Sequence, residues 1–321
     1  MTRYLILLAT LAACSSGPFD APVTLGGRTY ASAELNRGYH LYRKACRACH
    51  GDLGDGHGVS AQGLWPPPRD LRQGLYKFTR VPAPGLPPDE ELARIVRFGL
   101  TGTAMLPWTV GDHDLDALLG YVKTFSPRWR TDRAEPAVIA SADPYSNLGP
   151  EALLAVERRG EALYHGKAMC STCHPSYVTR ARLFAITAEM GGTGVAAYSD
   201  TMYASRIKET EYCWRWHPLS PGQKLDDRTC DEPVRAVPPD FLRDPLRAVR
   251  ADQQLRDLYL TLAGGIAGAG MPPWKGVLPD DELWAMSYYL RSLLRLQGTP
   301  RANELTDPLR LPANREWMPP P

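Results

Sequence analysis

No run of apolar residues in this 321-residue chain approaches the roughly 20 needed to span a bilayer, so the sequence offers no transmembrane helix. Charge of one sign is scarce too: 37 Lys and Arg against 35 Asp and Glu leave a formal balance of +2. A nucleic-acid binder would carry a concentrated basic face, and none is written here. Sustained alternation of apolar and polar residues is also lacking, which argues against sheets and for an all-α class. Histidine and cysteine number only seven each, so where they gather they carry information. Proline is what abounds, with 30 residues collected between periodic segments, where it sets rigid loops. With 44% apolar and 22% charged residues the composition is globular, and the length suffices for two domains.

Residues 1–13 read as a signal peptide: Arg3 supplies positive charge, and Tyr4 to Ala13 form a short apolar run ending in small residues. Leu11-Ala12-Ala13 ahead of Cys14 resembles the lipobox of bacterial lipoproteins. That resemblance implies cleavage before Cys14 and its lipidation, with several acyl chains giving a stable membrane anchor. Ordinary cleavage leaving a stray thiol is the alternative. Residues 14–30 then form the linker to the anchor. Ser15 after the cysteine resembles an outer-membrane address, so the expected place is the periplasmic side of a bacterial membrane, the outer slightly favoured over the inner.

Four of the remaining cysteines stand in two identical patterns: Cys46-Arg-Ala-Cys49-His50 and Cys170-Ser-Thr-Cys173-His174. This is the haem c attachment spacing. Two thiols three positions apart can each form a thioether with one porphyrin, and the His that follows lies where it can bind the iron. A zinc site would need both pairs to converge on one metal, yet 124 residues and a complete domain pattern separate them. A redox Cys pair has no need of an adjoining His, let alone twice. The expected cofactors are therefore two covalently bound haem c groups.

The surroundings of the two sites repeat. Gly38 and Tyr42 precede the first, Gly160 and Tyr164 the second. Pro66-Pro67-Pro68-Arg69-Asp70 matches Pro238-Pro239-Asp240, and helical stretches at 89–98 and 252–263 follow. Gly99, Gly102, Met105 and Trp108 match Gly265, Gly268, Met271 and Trp274 at identical spacing. Each half closes with an acid-led helix, 112–125 and 280–293, in which Tyr121 matches Tyr289. This order of helix, Cys-x-x-Cys-His, loops, Met and helix resembles class I cytochrome c. The resemblance implies two tandem domains at 31–130 and 151–297, joined by a linker at 131–150. It further implies crossings of first and last helices at Gly38 and Gly160 with their aromatic partners. By the same resemblance Met105 and Met271 are the second axial ligands opposite His50 and His174. His57, His217, Met190 and Met202 are rival ligands. Trp108 and Trp274 either wall the haem pockets or simply pack. Arg69 and Lys77, or Arg243 and Arg247, are candidates to pair with propionates.

The second half departs in two ways. Pro175 replaces the small residue expected after His174, and 64 residues separate His174 from Pro238, against 16 from His50 to Pro66. The insertion, 176–237, holds the last two cysteines, Cys213 and Cys230. In an exported chain these suggest a disulfide, while iron ligation by one of them, as in cytochromes resembling thiosulfate dehydrogenases, is the other reading. The Pro-rich tail, 298–321, is expected to be extended or disordered. With both axial positions filled, an iron has no room for a reactant, so the expected function is electron transfer between redox protein partners such as an oxidase, reductase or dehydrogenase, without catalysis. The alternative is a dihaem enzyme resembling cytochrome c peroxidases or thiosulfate dehydrogenases.

Overall fold

The structure is a computed structural model, and it describes residues 17–190, 202–216 and 229–311, the side chains of 208–216 excepted. In chain order the strands and α-helices are β1 (Val23–Leu25), β2 (Arg28–Tyr30), α1 (Ser32–Ala45), α2 (Arg47–His50), α3 (Asp89–Phe98), α4 (Asp112–Lys123), α5 (Arg128–Thr131), α6 (Pro150–Ala162), α7 (Arg180–Glu189), β3 (Lys208–Trp216), β4 (Cys230–Ala236), α8 (Gln254–Gly264), α9 (Asp280–Leu294) and α10 (Pro300–Thr306). Contacts divide these into two units. One comprises residues up to Gln62, Arg69–Gly74 and Val110–Arg133; the other comprises Gly63–Pro68, Leu75–Thr109 and everything from Ala134.

In the first unit α1 crosses α4 at Gly38, where a Cβ would overlap the Ala117 carbonyl, so only glycine permits the approach. Tyr121 of α4 then fills the crossing, its ring 5.3 Å from Tyr42 and 5.2 Å from Phe125. Two acids, Asp112 and Asp114, open α4 against its dipole. The hairpin β1–β2 folds back on this pair, burying Leu25 and Tyr30 completely. Lys123 Nζ donates to the Tyr30 hydroxyl at 2.9 Å, which satisfies a buried ammonium.

The second unit repeats the crossing with α6 and α9. Gly160 lies against the Ala285 carbonyl as Gly38 does against Ala117, and the Tyr164 ring is 5.6 Å from Tyr289. Pro150 starts α6, where its missing N–H costs nothing. Helix α8 packs on α9, with Tyr259 stacked on Trp284 at 4.4 Å. Residues 75–98 belong to this unit too, tied to α8 by the fully buried Asp257, which accepts from both Arg80 and Arg250.

The described residues are helix-rich with few strands, as expected of the helical class, and two antiparallel hairpins are added to the helices. The β3 sequence does alternate, with Thr210, Tyr212, Trp214 and Trp216 on one set of positions and Glu209, Glu211, Cys213 and Arg215 on the other. Residues 135–149 form no helix or strand, yet they are docked rather than loose. Glu135 N–H donates to Leu86 O, Val138 N–H to Arg80 O, and Asp143 accepts from the Tyr288 hydroxyl. In the described part of the tail α10 buries Ala302 and Thr306, and Leu309 beyond it is 1% exposed, so that part is folded rather than extended. Among the described residues no helix is long and apolar enough to cross a membrane.

Candidate metal centres

Each Cys-x-x-Cys-His segment is a single tight turn. The N–H of His50 donates to Cys46 O at 2.9 Å, and that of His174 to Cys170 O at 2.9 Å. All four thiols are free and half-buried. Burial pushes the Cys46 thiol up to about 11 and the Cys170 thiol up to about 12.

The imidazoles are fixed alike. His50 Nδ1 is 3.2 Å from Arg69 O, and His174 Nδ1 is 3.0 Å from Pro239 O. A carbonyl accepts only from N–H, so the proton sits on Nδ1 and Nε2 carries the lone pair a metal needs. Burial lowers both histidines from their ordinary value, against the smaller raising effect of those hydrogen bonds. Both are therefore neutral, the form that ligates. Tyr42 donates to Gly51 O at 2.7 Å and Tyr164 to Pro175 O at 3.0 Å, so matched tyrosines hold the carbonyl just after each histidine.

The two methionine turns share a set of backbone hydrogen bonds. Leu100 N–H donates to Met105 O at 2.8 Å, and Ile266 N–H to Met271 O at 3.0 Å. Trp108 N–H reaches Val96 O at 3.1 Å, as Trp274 N–H reaches Leu262 O at 3.0 Å. Gly99 and Gly265 end α3 and α8 at φ +64° and +67°, a conformation that excludes most side chains. Met105 and Met271 are each half-buried. Met105 belongs to the second unit, while Cys46, Cys49 and His50 belong to the first.

Within the second unit a cavity of about 700 Å³ joins the predicted residues. Cys170, Cys173, His174 and Met271 all line it. Its walls are mainly apolar, including Phe241, Leu258, Leu262 and Trp274, and its size falls in the range of cofactor pockets. Two thiols, a neutral imidazole and a thioether around such a space fit haem c. Trp274 walls this cavity, whereas Trp108 is exposed. Two cations, Lys77 and Arg247, also line it, placed to meet propionates. Arg243 does not; it donates instead to Tyr203, Asn303 and Thr306.

Sequence reasoning placed Lys77 with the first site, and it missed Phe241, whose ring stacks on His174 at 5.0 Å and 24°. The matched Asp70 and Asp240 after the accepting carbonyls were the available signal for Phe241. Nothing local to Lys77 could have placed it. Among rival ligands, Met202 is buried with Val178, Leu183, Ile186 and Leu309. Met190 packs against Gly166, and His57 Nδ1 meets Asp55 O. His217 and Cys14 lie outside the described residues. Cys230 is disulfide-bonded and opens β4, whose neighbouring strand β3 carries Cys213.

Residues 33–122 match the family model of cytochrome c oxidase, cbb3-type, subunit III. A chain of the Kuenenia stuttgartiensis reducing HAO-like protein complex is similar in fold, with a TM-score of 0.57 at 24% identity over 80% of this chain and 96% of that one. Comparison with curated proteins returns no match. The matched stretch is similar to a cytochrome c domain, a likeness that implies covalently bound haem c and haem-based electron transfer.

Proposed function

We propose that the chain is a membrane-anchored dihaem cytochrome c that relays single electrons between redox proteins. Haem c, when bound, supplies reversible one-electron exchange at iron. His50 with Met105, and His174 with Met271, are the proposed axial pairs, and Cys46, Cys49, Cys170 and Cys173 the thioether donors. The observation that carries this reading is the 700 Å³ cavity on which Cys170, Cys173, His174 and Met271 converge. Support for a second centre of the same kind comes from the matching hydrogen bonds of His50, Tyr42 and the Met105 turn.

With a neutral imidazole and a thioether both bound, a haem held here would have no position left for a substrate, so the residues would hold and insulate the group. Phe241 and Trp274 line the same cavity and would exclude water from it, which would favour the uncharged ferrous centre and raise the potential. Lipidation of Cys14 would place the relay on the periplasmic face of a membrane, and the outer membrane is slightly favoured. We pair Cys213 with Cys230 as the disulfide that closes the β3–β4 hairpin. A redox protein as partner agrees with a fold neighbour solved within a complex.

The test is a reductive titration of the holoprotein with and without cyanide and peroxide. The carrier reading expects two electrons per chain, taken up reversibly, and no change in either resting haem on adding the ligands. Peroxide turnover, or cyanide bound to a resting haem, would make the protein an enzyme. A Cys14→Ser variant released from the membrane fraction would support the anchor, and one that stays bound would remove it.

A further inference from the structure

Asp70 and Asp240 occupy the same place in the two halves, each directly after the carbonyl that receives a histidine Nδ1–H. Each carboxylate caps the turn that follows it: Asp70 accepts from Arg72 N–H at 3.0 Å, and Asp240 from Leu242 N–H at 3.0 Å. Their remaining lone pairs are met differently. Arg72 turns its guanidinium back onto Asp70, with Nε and one terminal nitrogen both at 2.9 Å. Leu242 stands where Arg72 would be and can donate nothing from its side chain. The insertion supplies the donors instead. The Tyr177 hydroxyl donates to Asp240 Oδ1 at 3.1 Å, and the Tyr203 hydroxyl donates to Oδ2.

The clamp is built on both sides. The Tyr177 oxygen also accepts the Phe241 N–H at 2.8 Å, so it grips the residue that stacks on His174. Tyr203 is fixed by its own N–H on Leu309 O, by Arg243 Nε at 3.1 Å from its hydroxyl, and by Arg310 over its ring. Burial, with the hydrogen bond to Asp240 next, pushes Tyr203 up to about 12, and Tyr177 is also raised, chiefly by burial. Both phenols therefore stay protonated as donors. Two neutral hydroxyls take the place of a bidentate cation, and Arg243 adds only a longer ion pair, its Nε 3.8 Å from Asp240 Oδ2. A charge-assisted bidentate pair is roughly twice as strong as neutral bonds and cancels the carboxylate charge locally. The phenols orient that charge, and the longer Arg243 pair cancels less of it than the bidentate Arg72 cancels at Asp70.

We propose that Tyr177 and Tyr203 are positioning residues through which the insertion sets the potential of the second haem, by holding Asp240, and with it the Pro239 carbonyl, against His174. A carboxylate one residue from the His174 acceptor favours the oxidised iron and lowers that potential. This is the role of the two tyrosines, and it rests on the reading of His174 as an axial ligand.

The experiment is potentiometric titration of the dihaem holoprotein, with the second wave identified by its loss in a Cys170→Ser/Cys173→Ser chain. Asp240→Asn should move that wave up. Leu242→Arg, which restores the guanidinium of the first site, should also move it up. Tyr203→Phe should move it down, because the carboxylate loses a donor that disperses its charge. The other wave should stay in place in all three. If the second wave is unmoved in variants that keep both haems, the proposal is overturned, and Tyr203→Phe with Leu242→Arg decide should Asp240→Asn not fold. Failure of the underlying ligand reading would show separately, as a missing sulfur-to-iron charge-transfer band in the unmutated protein.

Discussion

The residue after each histidine divides the two halves. Gly51 follows His50 at φ +78°, and an Asp55 oxygen fills the space a side chain would need. Pro175 follows His174, and its ring fixes φ near −65°, so the chain cannot take the same path. In the first half it turns at once and reaches Arg69 by a short loop; in the second it leaves, forms α7 and the β3–β4 hairpin, and returns at Pro239. Both routes end with a carbonyl about 3 Å from the histidine Nδ1. The histidine environment is thus held by what arrives at it, whatever the path taken. The half with the longer path needs extra donors to fix its return.

Four substitutions or conditions separate the halves further, the largest effect first. Replacing Cys170 and Cys173 by Ser should remove one haem per chain while the first site keeps its own, read by haem content and intact mass; loss of both would show that the sites are not independent. Gly160→Val drives a side chain into the Ala285 carbonyl and should cost about 3 kcal/mol or more, with Gly38→Val doing the same against Ala117. Denaturant melts of each variant, followed at the haem bands, would reveal whether the two crossings matter equally; near-wild-type midpoints would contradict the packing account.

Acid should weaken the second half in particular. His165, on a π-helical turn at Leu163–Lys167, donates from Nδ1 to Glu161 O and accepts the Tyr177 N–H at Nε2. Burial lowers it from 6.5 to about 4, helped by the charge of Arg182. Between those values the unfolded chain binds the proton and the fold does not, so stability falls as pH drops from about 6.5 to about 4. The loss is on the order of 3 kcal/mol. A His165→Gln variant should flatten that slope; an unchanged slope would assign it elsewhere. The smallest effect belongs to the first methionine turn. Thr103 Oγ donates to Leu100 O at 2.8 Å and accepts the Met105 N–H at 3.1 Å, whereas Ala269 holds the matching place in the second turn. Thr103→Ala should cost about 1 kcal/mol and loosen the hold on Met105, so that the sulfur-to-iron band of the first site is lost at a lower denaturant concentration, bringing the first turn toward the second. Equal midpoints before and after would dismiss the buttress.

Much of this was legible before the fold was. Cys-x-x-Cys-His and the glycine-punctuated methionine turns are local devices, their geometry set by spacing and by φ values only glycine tolerates well, so Gly99, Met105, Gly265 and Met271 could be aligned by eye. The closing helices, read as 112–125 and 280–293 and found at 112–123 and 280–294, announced themselves through acids in the first turn and apolar periodicity. The β3–β4 hairpin was legible in its alternation but stood inside a segment read as an insertion between helices, and Pro233 obscured β4. Long-range partners were not legible. Tyr177 meets Phe241 across 64 positions, and Lys77 lines a cavity built around Cys170 and Met271. Such meetings follow from how elements pack, and no local pattern encodes them.

The account's central claim is a thioether on each iron. Near-infrared magnetic circular dichroism of the oxidised holoprotein, normalised to haem content, measures it most directly. Two sulfur-to-iron bands per chain are expected, with Met105→Ala and Met271→Ala each removing about one half of the intensity. A resting haem without that band, or a Met271→Ala chain that keeps the full signal, would contradict it.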